Sequence, residues 1–140
     1  MKKHIYVLVS AMFSFLSQAQ SFIKAENGKF IKDGKPYHYL RTNFWYGMTL
    51  AFTDKEKLMR ELDRLNALGV KNHMIIFGSE GNLTTPWSVQ PTMQKEPGIY
   101  NDTLLIGLDF LLAEMNKRDM IAVLCLNNFW PWSGGFAQYV

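Results

Sequence analysis

The sequence predicts an α/β protein organised on a parallel sheet, with a small antiparallel β-element ahead of it. Three observations lead there. The apolar run at residues 121–126 lacks the alternation of a half-solvated strand, which suits a strand covered on both faces in a parallel sheet. Two stretches with leucines at helical spacing separate the strands. Asn-Gly and Asp-Gly pairs set between short alternating runs near the N-terminus are hairpin signals. Strand, helix, strand, helix, strand at such spacing implies right-handed βαβ crossovers.

The elements follow in order. Met1-Lys2-Lys3-His4 is a basic start, residues 5–16 are apolar, and Ser17-Gln18-Ala19 offers small residues where a signal peptidase requires them. Residues 1–19 therefore read as a signal peptide cleaved after Ala19, which implies a secreted or periplasmic protein. The apolar run is too short for a comfortable bilayer span, and no cysteine follows it to carry a lipid. The hairpin signals fall at Asn27-Gly28 and Asp33-Gly34. Residues 38–44 read as the first strand of the sheet, ending in Phe44-Trp45-Tyr46-Gly47. Trp45 is a candidate for a ligand-facing floor, with burial of all three aromatics as the alternative.

Thr53 or Asp54 caps a helix that runs to Leu68, whose face of Leu58, Leu62, Leu65 and Leu68 reads as core, and Gly69 stops it. The second strand, residues 70–77, closes on Gly78-Ser79-Glu80-Gly81. Residues 82–98 form a long loop with Trp87 and three prolines, placed to wall a cleft. Asn101 or Asp102 caps the next helix, residues 103–117, with an apolar stripe of Leu104, Leu105, Leu108, Leu111, Leu112 and Met115. Lys117 and Arg118 complement its C-terminal dipole. The third strand, residues 121–126, stops at Asn127 and Asn128, and residues 136–140 begin a third helix.

Composition narrows the chemistry. At 48% hydrophobic and 14% aromatic, 140 residues can bury one core and no more than one domain. Lys2 and Lys3 account for two of the 15 basic residues, and the remaining 13 against 12 acidic residues leave the mature chain at +1. Nucleic acid therefore has no electrostatic support as a partner. Cys125, the single cysteine, has no intrachain partner and reads as a small core residue.

The chemistry-bearing stretch follows the third strand. In parallel sheets ligands bind at the carboxyl ends of strands, and there Asn127 and Asn128 meet Trp130 and Trp132. Pyranose rings present C–H faces to aromatics and hydroxyls to amides, so the combination suits a sugar. Asn, Trp, Pro and Gly are also ordinary loop residues, and a structural loop stands beside the sugar reading.

The order of residues adds a resemblance. LNNFWPWSGGFAQYV resembles the segment after the third barrel strand in family 5 glycoside hydrolases, in the endo-β-1,4-mannanase branch. FIKAENGKFIKDGKPYHYLRTNFWYG is similar to the opening of those proteins, and PGIYND to their loop before the second helix. The resemblance covers nearly all of residues 22–140. It implies the N-terminal part of a (β/α)8 TIM barrel, incomplete over residues 20–140, preceded by a β-hairpin that plugs the barrel's N-terminal end in the family. A whole barrel takes about 250 residues.

By the same resemblance the activity is cleavage of β-1,4-mannan or another β-glycan with retention, by a secreted enzyme needing no cofactor and no metal and leaving no membrane contact after signal cleavage. Retaining hydrolysis uses two carboxyl groups about 5 to 5.5 Å apart. In the family they follow the fourth and seventh strands, beyond residue 140, so no catalytic residue is assigned here. The substrate-binding set is Trp45, Asn127, Asn128, Trp130 and Trp132. Lys95-Glu96-Pro97 is not the family's Asn-Glu-Pro, and its place before a helix makes Glu96 a solvated surface residue. Met74 stands where the family usually carries an arginine that orients the nucleophile, and a thioether cannot donate to a carboxylate. That departure favours a non-catalytic glycan-binding protein as the alternative, with a truncated inactive product as a third reading.

Overall fold

The computed structural model describes residues 22–139, so the leader expected over residues 1–19 lies outside the described residues. The chain divides after His38 into two compact units. The first is a three-stranded antiparallel meander of β1 (Lys24–Glu26), β2 (Lys29–Lys32) and β3 (Lys35–Pro36). Both turns have two residues at positive φ: Asn27 and Gly28 at 49° and 72°, Asp33 and Gly34 at 52° and 72°. That is the type I′ geometry, which matches the twist of the strands and which Asn-Gly and Asp-Gly tolerate. The Tyr37 N–H donates to Phe30 O at 2.7 Å and carries the pairing past β3.

The second unit contains β4 (Leu40–Asn43), α1 (Gly47–Thr53), α2 (Lys55–Ala67), β5 (Val70–Ile76), β6 (Gln94–Glu96), β7 (Ile99–Tyr100), α3 (Asp102–Asn116) and β8 (Ile121–Cys125). Strands β4, β5 and β8 form a parallel sheet with β5 in the middle. Both long helices start where a polar side chain takes up orphan amides. Asp54 accepts from the Lys57 N–H at 2.9 Å, and Asn101 accepts from the Thr103 and Leu104 N–H groups at 3.1 and 3.4 Å. Leu58 and Leu62 of α2, Leu104, Leu111 and Met115 of α3, and Ile75 of β5 close one core with Phe44, Met48 and Ala51. Each Leu, Ile, Met and Phe of this set contributes about 1.5–3 kcal/mol through burial.

A polar cluster ties the end of α3 to α2. The buried Glu114 carboxylate receives Lys117 and, at 2.8 Å, the Arg118 guanidinium, whose Nε donates to Asp63 at 2.7 Å. Lys71 Nζ donates to the Arg118 carbonyl at 2.7 Å and brings β5 into the same knot.

Several expectations are corrected. Helix α1 falls between the strand-end aromatics and the Thr53 or Asp54 cap, where the sequence reading placed no element. Its cap position, Tyr46, offers no side-chain bond, and packing holds it instead: a Cβ on Gly47 would sit 2.7 Å from the Phe44 ring, and one on Gly107 of α3 would sit 3.0 Å from Met48 O. Leu68 is 63% exposed, because α2 ends one residue earlier and its buried face stops with the half-buried Leu65. Strand β8 is not covered on both faces. It has β5 as its one neighbour among the described residues, and Val123 and Leu126 are exposed. Cys125 in that strand is only half-buried, with Sγ 3.3 Å from Asn127 O. The long loop contains β6, which pairs antiparallel with β7 around Pro97-Gly98, and Glu96 is exposed as expected. The segment expected to open a third helix is a 3-10 turn, Gly135–Tyr139.

Candidate functional site

The carboxyl ends of the three parallel strands run side by side into loops. Phe44 and Ile76 extend the pairing of β4 with β5, with the Phe44 N–H on Met74 O at 2.8 Å and the Ile76 N–H on Trp45 O at 3.3 Å. On the other side the Phe77 and Gly78 N–H groups share Cys125 O at 3.1 and 3.0 Å. A Cβ on Gly78 would lie 2.0 Å from Leu126 O, so only glycine allows this approach of the second loop to the third.

That arrangement brings Trp45 and Trp132 together. Their ring centroids are 5.8 Å apart at 77°, an edge-to-face pair, and Trp45 makes a second such contact with Tyr46 at 5.5 Å. Trp45 is the exposed member of its aromatic trio, at 41%, while Phe44 is core and Tyr46 half-buried against it. Trp130 is 60% exposed and stands apart from that pair in the same loop.

The two asparagines take different parts. Asn128 builds the loop: its Oδ1 accepts from the Trp130 N–H at 2.8 Å and from Ser133 Oγ at 2.7 Å, and its backbone oxygen accepts from the Phe136 N–H at 3.2 Å. Its Nδ2 is buried without a partner, and so is Asn127 Oδ1. One donor and one acceptor at this strand end are thus left unused, at a cost of about 1–3 kcal/mol for each group buried in that state.

On β5, alternation separates His73 from Met74. His73 is fully buried on the helix side, edge-on to Phe44 at 6.0 Å, and burial pushes its pKa down so that it is neutral. Met74 is half-buried on the opposite face, in register with Asn43 of β4 and Val123 of β8.

Glu80 is the residue the sequence reading passed over. It is 5% exposed, its Oε2 accepts from the Gly135 N–H at 3.2 Å and its Oε1 from the Tyr139 hydroxyl at 3.3 Å. Burial pushes its pKa up, and the Gly135 and Tyr139 bonds offset part of that rise. The signal was an acid set between Gly78-Ser79 and Gly81 at a strand's carboxyl end, a place where a buried charge needs a reason. No group of three or more His, Cys, Asp or Glu among the described residues could hold a metal ion.

Parallel strands joined by helices, each delivering loop residues at its carboxyl end, are the opening steps of a (β/α)8 barrel, the architecture whose sites lie at that end. Residues 20–140 match the model of GH family 5 beta-mannosidase-like proteins, and the chain belongs to that family. Mannan endo-1,4-beta-mannosidase 1 of Oryza sativa subsp. japonica is 29% identical over 124 residues, covering 85% of this chain and 27% of the relative. A glycoside hydrolase family 5 mannosidase from Rhizomucor miehei superposes with a TM-score of 0.79 at 36% identity, covering 84% of this chain and 30% of that one. The endo-1,4-beta-mannanase of Rhizomucor miehei shares the fold, with a TM-score of 0.69 at 24% identity over 86% of this chain and 33% of its own. The chain therefore spans between 27% and 33% of the length of these relatives.

Proposed function

We propose that this chain is the N-terminal portion of a glycoside hydrolase that cleaves β-1,4-mannan or a related β-glycan with retention, in a secreted or periplasmic setting. The observation that carries the reading is the Trp45–Trp132 pair at the carboxyl ends of the first and third barrel strands. An edge-to-face pair with one ring partly open leaves an aromatic surface for a pyranose face. Trp130, 60% exposed in the same loop, offers a separate aromatic face, and Asn127 and Asn128 stand at the same strand end with Asn127 Oδ1 and Asn128 Nδ2 buried and unpaired. The likeness to proteins named mannan endo-1,4-beta-mannosidase supports mannan as the substrate in this reading. Two carboxyl groups about 5 to 5.5 Å apart would supply acid/base and nucleophile from strands that follow.

The test has two arms. The coding DNA past codon 140 is expected to continue through a fourth strand into Asn-Glu-Pro, and the full-length product to hydrolyse glucomannan. Trp132→Ala in that product should weaken mannohexaose binding about tenfold, or ~1.4 kcal/mol. A full-length product that neither cleaves nor binds mannan removes the reading. N-terminal sequencing addresses the compartment: a mature start at Gln20 supports export, and Met1 retained in folded cytoplasmic protein ends that part.

Met74 favours a second reading, a glycan-binding protein with little turnover. An opposite charge within about 4 to 6 Å lowers a carboxylate pKa by roughly 1 to 3 units, and a thioether supplies none of this to a nucleophile. On that reading Met74→Arg raises turnover and leaves glycan affinity unchanged, the pattern of an interaction made only in the transition state. Equal and fast turnover in both versions decides for the enzyme.

A further inference from the structure

The loop that carries Trp132 is tied at its start to β8 and needs a second anchor to hold the ring against Trp45. Inside the loop Asn128 closes the chain on itself through Trp130, Ser133 and Phe136, so residues 128–136 move as one piece. Glu80, at the carboxyl end of the neighbouring strand, grips that piece at two points and the turn that follows it at a third. Its N–H donates to Ser133 O at 2.9 Å, its Oε2 accepts from the Gly135 N–H at 3.2 Å, and its Oε1 accepts from the Tyr139 hydroxyl at 3.3 Å. The fit admits nothing larger between them. Gly134 has φ 92°, and a Cβ there would fall 2.1 Å from Glu80 O, while a Cβ on Gly81 would fall 2.0 Å from Gln138 Oε1. Val89 adds one backbone bond to Trp132 O at 2.8 Å, from a loop that itself hangs on Ser79, next to Glu80.

We infer that Glu80 is a positioning residue: its side chain locks the Trp132 loop to the end of the second strand and sets the Trp45–Trp132 geometry on which glycan stacking depends. The inference rests on the reading of that loop as the glycan-binding one. Glu80 acts through the loop it holds, with both carboxylate oxygens engaged by Gly135 and Tyr139. What the site requires of position 80 is length and two polar oxygens, or an oxygen and a donor, because the Tyr139 hydroxyl can accept as well as donate. A shorter carboxylate cannot span to both Gly135 and Tyr139. Glutamine can, with its oxygen toward Gly135 and its amide toward Tyr139.

The experiment uses the full-length protein and reads the indole pair directly. Two indoles in close edge-to-face contact couple and give an exciton signal in far-ultraviolet circular dichroism, which Trp132→Phe identifies by removing it. Glu80→Ala is expected to lose most of that signal and to raise KM for mannohexaose about tenfold with kcat changed less than about twofold, since ground-state and transition-state stacking are lost together. Glu80→Gln should restore both. Where Glu80→Ala fails to fold, Glu80→Asp against Glu80→Gln carries the same test, with the signal weakened in the first and kept in the second. A folded Glu80→Ala or Glu80→Asp protein with the exciton signal and KM of the parent overturns the inference. Loss of the signal with glycan affinity unchanged in both Glu80→Ala and Trp132→Ala overturns the glycan reading of the loop and leaves Glu80 as its anchor.

Discussion

Glu80 and Glu114 sit equally deep in this fold, 5% and 6% exposed, but one faces neutral donors and the other faces cations. The Lys117 ammonium and then the Arg118 guanidinium bond the Glu114 carboxylate and hold its pKa below the ordinary 4.5. Around Glu80 the groups are a glycine N–H and a tyrosine hydroxyl, and burial drives its pKa above 4.5. By linkage the two act in opposite directions. Glu114 adds stability that is present above the unfolded pKa and is lost as pH falls through its lowered folded value. For Glu80 the favourable contribution belongs to the acid side, and it is lost as pH rises through the raised folded value. A glutamate whose favourable contribution fades as pH rises is explained by what it positions, whereas one held by cations needs no further reason.

The comparison can be broken at three points, of decreasing size. Arg118→Ala removes the charge that faces Glu114 at 2.8 Å and also the bond to Asp63, and it should cost about 3 kcal/mol in a urea titration near neutral pH. A loss under about 1 kcal/mol would mean that the cluster behaves as ordinary surface pairs. Glu114→Gln should cost about 2 kcal/mol at neutral pH, the size of a charge-assisted bond. That difference should shrink toward zero in acid, because the parent protonates there. Glu80→Gln should have the smallest effect and the reverse sign. The variant is expected to melt above the parent at about pH 8, with the gap closing as pH falls toward the ordinary glutamate range. A gap that widens on acidification would show that Glu80 is held by charge after all, as Glu114 is.

How much of this was visible in the sequence depends on how local each cause is. Helix α3 announced itself because its cap, Asn101, and its stripe from Leu104 to Met115 are all within a few turns. The I′ turns are local too, since Asn-Gly and Asp-Gly carry their own backbone geometry. Helix α1 stayed hidden: Tyr46 gives no capping bond, and the close contacts that hold the helix come from Phe44 and from α3. The exposure of β8 follows from strand order rather than from its own residues, which read as fully buried. At the candidate site Trp45, Trp132 and the two amides were each legible as strand-end residues. That Trp45 meets Trp132 required the parallel register of β4, β5 and β8, whereas Asn128 spends its acceptor locally, on groups two and five residues away. Glu80 acquires its partners 55 and 59 residues further along the chain, a distance over which sequence spacing carries no geometry.

The meander of β1, β2 and β3 has a kinetic consequence. Its pairings join residues a few positions apart, such as Glu26 with Lys29 and Lys32 with Lys35, and hairpins of this kind close in about 1–10 μs. The parallel sheet joins His73 to Ala122 and must bring together distant stretches, which is intrinsically slower. The N-terminal hairpins are thus the local part of the chain's pairing, while the pairing of β5 with β8 that leads to the Trp132 loop spans about fifty residues.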